Sequence, residues 1–142
     1  MLRIDDMQRQ AVDLSPKIWY NAFERSVYMA RNYLLTYSEQ LATNIELLCQ
    51  NIKAPSNTLF QICKSSSSVY ANIREANYAH GKADFIAKLQ IALKECFETE
   101  YWLELFIQAN LTTQEEIKDI YNSCGTVRRL LIASINTAKE NK

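Results

Sequence analysis

The sequence predicts an all-α protein, folded as an antiparallel up-down-up-down four-helix bundle. Turn-forming residues are scarce, because the 142 residues include only two glycines and two prolines, and a β-rich chain needs many more. Apolar residues recur every three or four positions through long segments, which is the period of an amphipathic helix. Long helices joined by short turns pack as antiparallel neighbours, and this arrangement gives the bundle.

The length and composition indicate one globular domain. Hydrophobic residues make up 48% of the chain and charged residues 23%, which are ordinary values for a folded protein and exclude a disordered one. There is no run of about 18 apolar residues that would span a bilayer. The start of the chain has no apolar signal region behind it. We therefore expect a cytoplasmic protein that makes no membrane contact.

The first helix is predicted over about residues 16–52. Ser15 is a good N-cap and Pro16 suits the first helical position. Apolar residues then keep a helical period from Trp19 to Ile52. Residues 1–14 form an N-terminal lead for which we expect partial order, and residues 15–142 form the bundle domain.

The second helix is predicted over about residues 57–78. Pro55 interrupts the first helical pattern, and Ser56 or Asn57 is suited to cap the next helix. At the other end we expect Gly81 to adopt a positive φ and terminate the helix.

The third helix, predicted over about residues 83–109, has apolar residues on more than one side. Phe85, Leu89 and Leu103 belong to one stripe, whereas Ile86 and Leu93 belong to another. A helix that needs two burial partners is usually central in its fold or lies at a subunit contact.

The fourth helix is predicted over about residues 113–140. Thr113 and Glu116 have the spacing of a capping box, in which each side chain accepts a hydrogen bond from the other residue's backbone N–H.

Polar residues follow one edge of the second helix. Ser65, Ser68, Asn72 and Glu75 are three or four residues apart and therefore lie on one side of that helix. In a structural interpretation, which we favour, they satisfy neighbouring polar groups at a helix seam. In the alternative interpretation, Asn72 and Glu75 belong to a recognition patch at one end of the bundle.

Three motifs carry a resemblance to a known family. They are Gln61–Ala76 on the second helix, Ala83–Phe85 with Ile91–Glu95 on the third, and Glu98–Leu105 at its aromatic end. Together they resemble the S23-like four-helix-bundle proteins that are encoded within intervening sequences of bacterial 23S rRNA genes. The resemblance covers about residues 57–141.

The resemblance implies a four-helix bundle that is commonly a homopentamer and has no assigned activity. The motif residues Asn72, Glu75 and Glu98 are then interpreted as a structural polar motif. The chain is also distantly similar to the accessory proteins of diversity-generating retroelements, which bind a reverse transcriptase and nucleic acid as a strongly basic pentamer. It departs from them because its isoelectric point is near 6.6.

Catalytic, metal and cofactor sites are not expected. The chain has a single histidine, His80, and its four cysteines are too widely separated for a paired zinc pattern. Its glutamate pairs have no histidine nearby for acid–base chemistry, and there is no glycine-rich phosphate loop. Cys49 and Cys63 lie at similar distances from Pro55, so a bridge between adjacent helices is conceivable, although we do not expect one.

The charges are balanced in number but uneven in position. Residues 95–117 contain six glutamates and no lysine or arginine. In the predicted bundle, basic residues gather at the end where the third helix starts. This distribution predicts an electrically polar molecule, and the basic residues suited to nucleic acid are Arg74, Lys82, Lys88, Arg128 and Arg129.

The aromatic residues suggest an assembly surface. Tyr101, Trp102 and Phe106 exceed what one narrow core stripe requires, and we expect them to lie between subunits. Two functions are therefore predicted. One is a non-catalytic homo-oligomeric scaffold or adaptor that binds a protein partner. The other is an RNA- or DNA-associated accessory protein that uses the basic end of the bundle.

Overall fold

The computed structural model describes residues 22–140, with side chains from residue 28 onward. These residues form four helices: α1, Ala22–Asn51; α2, Ser56–Ala76; α3, Lys82–Gln108; and α4, Lys118–Glu140. Each helix packs against the next along the chain, and α4 returns to pack against α1. Within the described residues α1 and α3 share one diagonal of the bundle and α2 and α4 the other. The prediction of an all-α four-helix bundle is confirmed.

The helix boundaries differ from the predicted ones mainly in α4. Helices α2 and α3 begin one residue earlier than predicted and end one or two residues earlier. Helix α4 begins at Lys118 rather than 113, because residues 114–117 form a separate tight turn. The predicted lead over residues 1–14 and the predicted start at Ser15 and Pro16 lie outside the described residues.

The predicted capping box closes this tight turn. The Glu116 N–H donates to the Thr113 hydroxyl at 3.2 Å, and the Thr113 N–H donates to the Glu116 carboxylate at 3.1 Å. The Thr112 hydroxyl donates to the same carboxylate at 2.8 Å. These hydrogen bonds, led by that from Thr112, lower the pKa of Glu116.

The expectation of a positive φ at Gly81 is wrong. Gly81 has φ 177°, which is extended backbone, whereas Asn110 has φ 57°. Asn110 ends α3 in a Schellman arrangement, in which the Leu111 N–H donates to the Phe106 carbonyl at 2.9 Å. Asparagine tolerates this left-handed conformation better than most residues, and α2 ends without it.

The core runs along the bundle axis and receives side chains from every helix. Its largest completely buried residues include Leu41 and Ile45 of α1, Ile62 of α2, Leu103 and Phe106 of α3, and Leu131 of α4. The structure corrects the expectation that Phe106 lies between subunits. Its side chain has 0% exposure in the single chain, because it belongs to the inward stripe of α3 that includes Leu103.

Two phenylalanines with opposite exposure test this assignment. We expect Phe106→Ala to lower the free energy of unfolding by about 3–5 kcal/mol, because it leaves a cavity in the core. Phe60 is 60% exposed on α2, so Phe60→Ala should change that free energy by no more than about 0.5 kcal/mol. Urea unfolding followed by circular dichroism measures both, and equal destabilisation of the two variants would contradict the core assignment.

Candidate functional site

Helix α3 presents an apolar surface to solvent. Ile91, Phe97 and Tyr101 are 44%, 50% and 55% exposed, and the rotation of about 100° per residue of a helix places them within an arc of about 120°, which also contains the exposed Lys94. We call these three residues the α3 outer face. Within the described residues α3 packs only on α2 and α4, so no other described helix covers this face.

Trp102 borders the α3 outer face and is fixed in place by its neighbours. Its indole N–H donates to the Glu98 carboxylate at 3.3 Å, one turn earlier in the same helix. The Tyr101 ring meets the indole edge-on, with ring centroids 5.1 Å apart, which is a favourable aromatic geometry. Of the three aromatic residues predicted for an interface, Tyr101 is exposed, Trp102 is partly buried against the core, and Phe106 is completely buried.

Helix α1 carries a second apolar surface. Tyr33 and Leu47 are about half exposed and Tyr37 lies beside Tyr33, with ring centroids 6.4 Å apart. We call Tyr33, Tyr37 and Leu47 the α1 outer face. Since α1 and α3 share a diagonal of the bundle, their outer faces lie on different sides of the bundle.

The polar edge of α2 is satisfied within the bundle. The Asn72 amide donates to the Ser68 carbonyl at 2.8 Å. Ser65 is buried and lies 2.9 Å from the hydroxyl of Thr99 on α3. The sequence analysis did not identify Thr99. The signal that could have identified it is its place between Cys96 and Leu103 in the inward stripe of α3, which marks it as a polar residue at a helix seam. No buried side-chain polar atom in the described residues lacks a hydrogen-bond partner.

Two of the predicted nucleic-acid-binding residues are paired with carboxylates. Lys88 Nζ lies 2.9 Å from a Glu75 carboxylate oxygen, across the α2–α3 seam. Arg128 Nε lies 2.8 Å from a Glu100 carboxylate oxygen, across the α3–α4 seam. Each hydrogen-bonded carboxylate raises the pKa of its cationic partner. The contact with Lys88 also gives Glu75 a partner within the bundle. This agrees with the structural interpretation, in which the polar residues of α2 satisfy neighbouring polar groups.

Arg128 lies near the middle of the bundle and not at its predicted basic end. Cys96 and Cys124 face each other across the α3–α4 seam, with their sulfur atoms 3.7 Å apart. Long side chains on a helix lean toward its N-terminus, so Glu100 and Arg128 both lean toward this level and meet there. Glu100 therefore has a partner on the neighbouring helix, and Glu104 likewise accepts a hydrogen bond from the Tyr121 hydroxyl of that helix at 2.9 Å.

The remaining predicted cations are exposed. Arg74 lies in the last turn of α2 and Lys82 begins α3, so both belong to the end of the bundle where these helices meet. Arg129 is exposed on α4, and its guanidinium donates to the Thr126 hydroxyl at 3.2 Å. Of the predicted nucleic-acid-binding residues, Arg74 and Lys82 therefore lie at the predicted basic end.

A cavity of about 690 Å³ lies at the same end of the bundle. We call this the cavity end. Arg31 of α1 and Lys82 of α3 line the cavity, and the Arg31 guanidinium lies over the Phe85 ring at 4.6 Å, a cation–π contact. Sequence reasoning did not find this cavity, because only the packing of four helices brings its walls together.

The cysteines are reduced in the structure and form no metal site. Cys49, Cys63, Cys96 and Cys124 are all free thiols. Burial raises the pKa of Cys63 to about 12, so this thiol stays protonated near neutral pH. No group of three or more histidine, cysteine or acidic residues within residues 28–140 is arranged to hold a metal ion. Among the described helices, none has the length and apolar character needed to cross a membrane.

Comparison with known proteins places the chain in a family. The model of the family described as 23S rRNA-intervening sequence protein matches residues 32–133. No curated protein sequence matches the chain. Among solved structures, the chain is similar to a protein of unknown function from the S23 ribosomal protein family of Bacteroides thetaiotaomicron. The two are 40% identical, the match covers 75% of this chain and 98% of that chain, and the TM-score is 0.70. This chain belongs to the 23S rRNA-intervening sequence protein family.

Proposed function

We propose that the protein is a non-catalytic homo-oligomeric scaffold, assembled by contact of the α3 outer face with a second copy of the chain. The observation that supports this proposal is the exposure of Ile91, Phe97 and Tyr101 on a helix that is apolar on more than one side. Large apolar surfaces on folded proteins mark interaction sites. Aromatic residues are also enriched at the centres of protein interfaces.

The diagonal placement of α1 and α3 allows a head-to-tail assembly. The α1 and α3 outer faces differ in sequence and lie on different sides of the bundle, so the α3 outer face of one copy can meet the α1 outer face of the next. Contacts between two different surfaces are heterologous, and they close into a ring when the rotation between copies allows it. A ring of five is the size that the family resemblance implies.

A scaffold role agrees with the state of the α3 carboxylates. Glu98, Glu100 and Glu104 are each engaged by a neighbouring side chain: the indole of Trp102, the guanidinium of Arg128 and the hydroxyl of Tyr121. The contacts of Glu100 and Glu104 link α3 to α4, whereas that of Glu98 lies within α3. In an assembled ring, repeated copies of one exposed surface would face a protein partner, which gains affinity by multivalent contact.

Sedimentation velocity of the full chain at micromolar concentration tests the assembly. We expect the native chain to sediment as an oligomer and Phe97→Glu to sediment as a monomer, because a carboxylate would be buried in an apolar contact. Phe60→Glu is the matched control: Phe60 is also an exposed phenylalanine but lies on α2, so this variant should stay oligomeric. Circular dichroism should show that both variants keep their helical content.

A monomeric native chain would overturn the proposal. Dissociation by Phe60→Glu together with continued assembly of Phe97→Glu would place the contact on α2 instead of on the α3 outer face.

A second candidate function is association with RNA or DNA at the cavity end. Arg31, Arg74 and Lys82 are exposed there, and among residues 28–140 none of the three lies within ion-pair distance of a carboxylate. A ring with parallel bundle axes would gather these cations from every copy on one face. Neutralising several phosphates at once is what gives a protein a measurable, salt-dependent affinity for nucleic acid.

Binding of a fluorescently labelled single-stranded RNA across a range of salt concentrations tests this second candidate. We expect the double variant Arg74→Ser/Lys82→Ser to weaken binding and to lower the salt slope, by about 0.7 for each phosphate of the single strand that the variant no longer neutralises. The matched control is Lys53→Ser/Lys64→Ser, which removes two exposed lysines away from the cavity end. No binding by the native chain at low salt, or equal weakening in the two double variants, would contradict the candidate.

A further inference from the structure

We propose that the cavity at the cavity end binds a small organic anion, in which one carboxylate group is attached to an apolar body. This inference concerns a separate site and does not depend on assembly through the α3 outer face. It rests on three properties of the cavity: its size, its apolar walls and the sign of the charges that line it.

The cavity exists because small side chains meet at one end of the bundle. Its lining residues include alanines from α1, from the end of α2 and the turn that follows it, and from α4, namely Ala30, Ala76, Ala79, Ala133 and Ala138. Further along the bundle axis, leucine, isoleucine and phenylalanine fill the space between helices. Its volume of about 690 Å³ lies within the range of small-molecule sites, which are mostly apolar with a few polar groups.

The two charged residues in the described lining of the cavity are both cationic. Arg31 and Lys82 are on opposite helices of the diagonal, and no aspartate or glutamate is among the described lining residues. Gly81 and Lys82 stand at the start of α3 and also line the cavity. The positive dipole end of α3 is offset there by the negative end of α2 at Ala76 and Asn77, so the two side-chain cations determine the sign of the charge. Ser134 and Thr137 supply two hydroxyl groups on the α4 side.

The apolar walls of the cavity indicate the kind of group to which the carboxylate is attached. Phe85 and Leu130 line the cavity together with the alanines, and this surface favours an apolar group over a fully hydrated ion. The Phe85 ring is held under the Arg31 guanidinium, so a flat aromatic body that stacks on this pair places its carboxylate near Arg31 and Lys82. An aromatic carboxylate therefore matches both the apolar and the cationic parts of the site.

Titration of the ¹⁵N-labelled full chain with 2-naphthoate, followed by NMR, tests the proposal. We expect saturable shifts in the amides of residues 81–85 and 130–138, with a dissociation constant on the order of 1 mM or lower. Acetate, which has the anionic group alone, should give no saturable shifts. The ammonium analogue (naphthalen-2-yl)methylammonium has the same aromatic body with the opposite charge and should bind more weakly.

Two kinds of variant locate the binding. Arg31→Ser/Lys82→Ser should weaken 2-naphthoate binding by about tenfold or more, since it removes both charge-assisted contacts. Ala133→Trp should abolish binding by filling the cavity. Arg74→Ser is the matched control, because Arg74 is an exposed arginine at the cavity end that does not line the cavity, and its affinity for 2-naphthoate should equal that of the native chain.

Absence of saturable shifts in the native chain would overturn the proposal. It would also be overturned by equal affinity for the ammonium analogue, or by unchanged affinity in both the Arg31→Ser/Lys82→Ser and the Ala133→Trp variants. Because Arg31→Ser/Lys82→Ser changes only exposed side chains, it keeps the test valid if Ala133→Trp fails to fold. Phe97→Glu should bind 2-naphthoate as the native chain does, so failure of the scaffold proposal and failure of this one give different results.

Discussion

The arrangement of this bundle depends on close contact of α3 with its two neighbours through small polar side chains. On one side the Thr99 hydroxyl lies 2.9 Å from that of Ser65 on α2, in a buried position. On the other side Cys96 and Cys124 of α4 face each other. Each hydroxyl also has a backbone partner in its own helix, the Ile62 carbonyl for Ser65 and the Glu95 carbonyl for Thr99. The small size of these side chains lets the helices approach closely, and the contacts mark the register of α3 against both neighbours.

The ion pairs follow from that register. Along the α2–α3 seam, Glu75 lies about three turns beyond Ser65 and Lys88 lies about three turns before Thr99, which brings the two charges to one level of an antiparallel pair. Along the α3–α4 seam, Glu100 and Arg128 lean toward the level of the two cysteines. Exposed ion pairs add little stability by themselves. Each ion pair instead engages one cation, Lys88 or Arg128. The described cations that stay available at the cavity end include Arg31, Arg74, Lys82 and Lys139.

Features that depend on local sequence were predictable, and features that depend on register were not. The Thr113–Glu116 capping box involves residues three apart, so its geometry follows from the sequence alone. The apolar character of α3 on more than one side was also readable, because it is a property of one helix. The position of Arg128 could not be predicted in this way. Its level relative to Glu100 depends on the register of α4 against α3, and a shift of one turn would give Glu100 a different partner.

The sequence-based prediction placed Phe106 at a subunit contact and did not find the cavity. These two errors have a related cause. Tyr101, Trp102 and Phe106 are close in sequence, and their different exposures follow from which side of α3 faces α2 and α4. The cavity likewise needs small residues from several helices at one level, although each alanine alone looks like an ordinary helix former. Sequence periodicity therefore locates an apolar surface on a helix, whereas only the packed bundle decides whether that surface fills the core, meets a second copy of the chain, or lines a site.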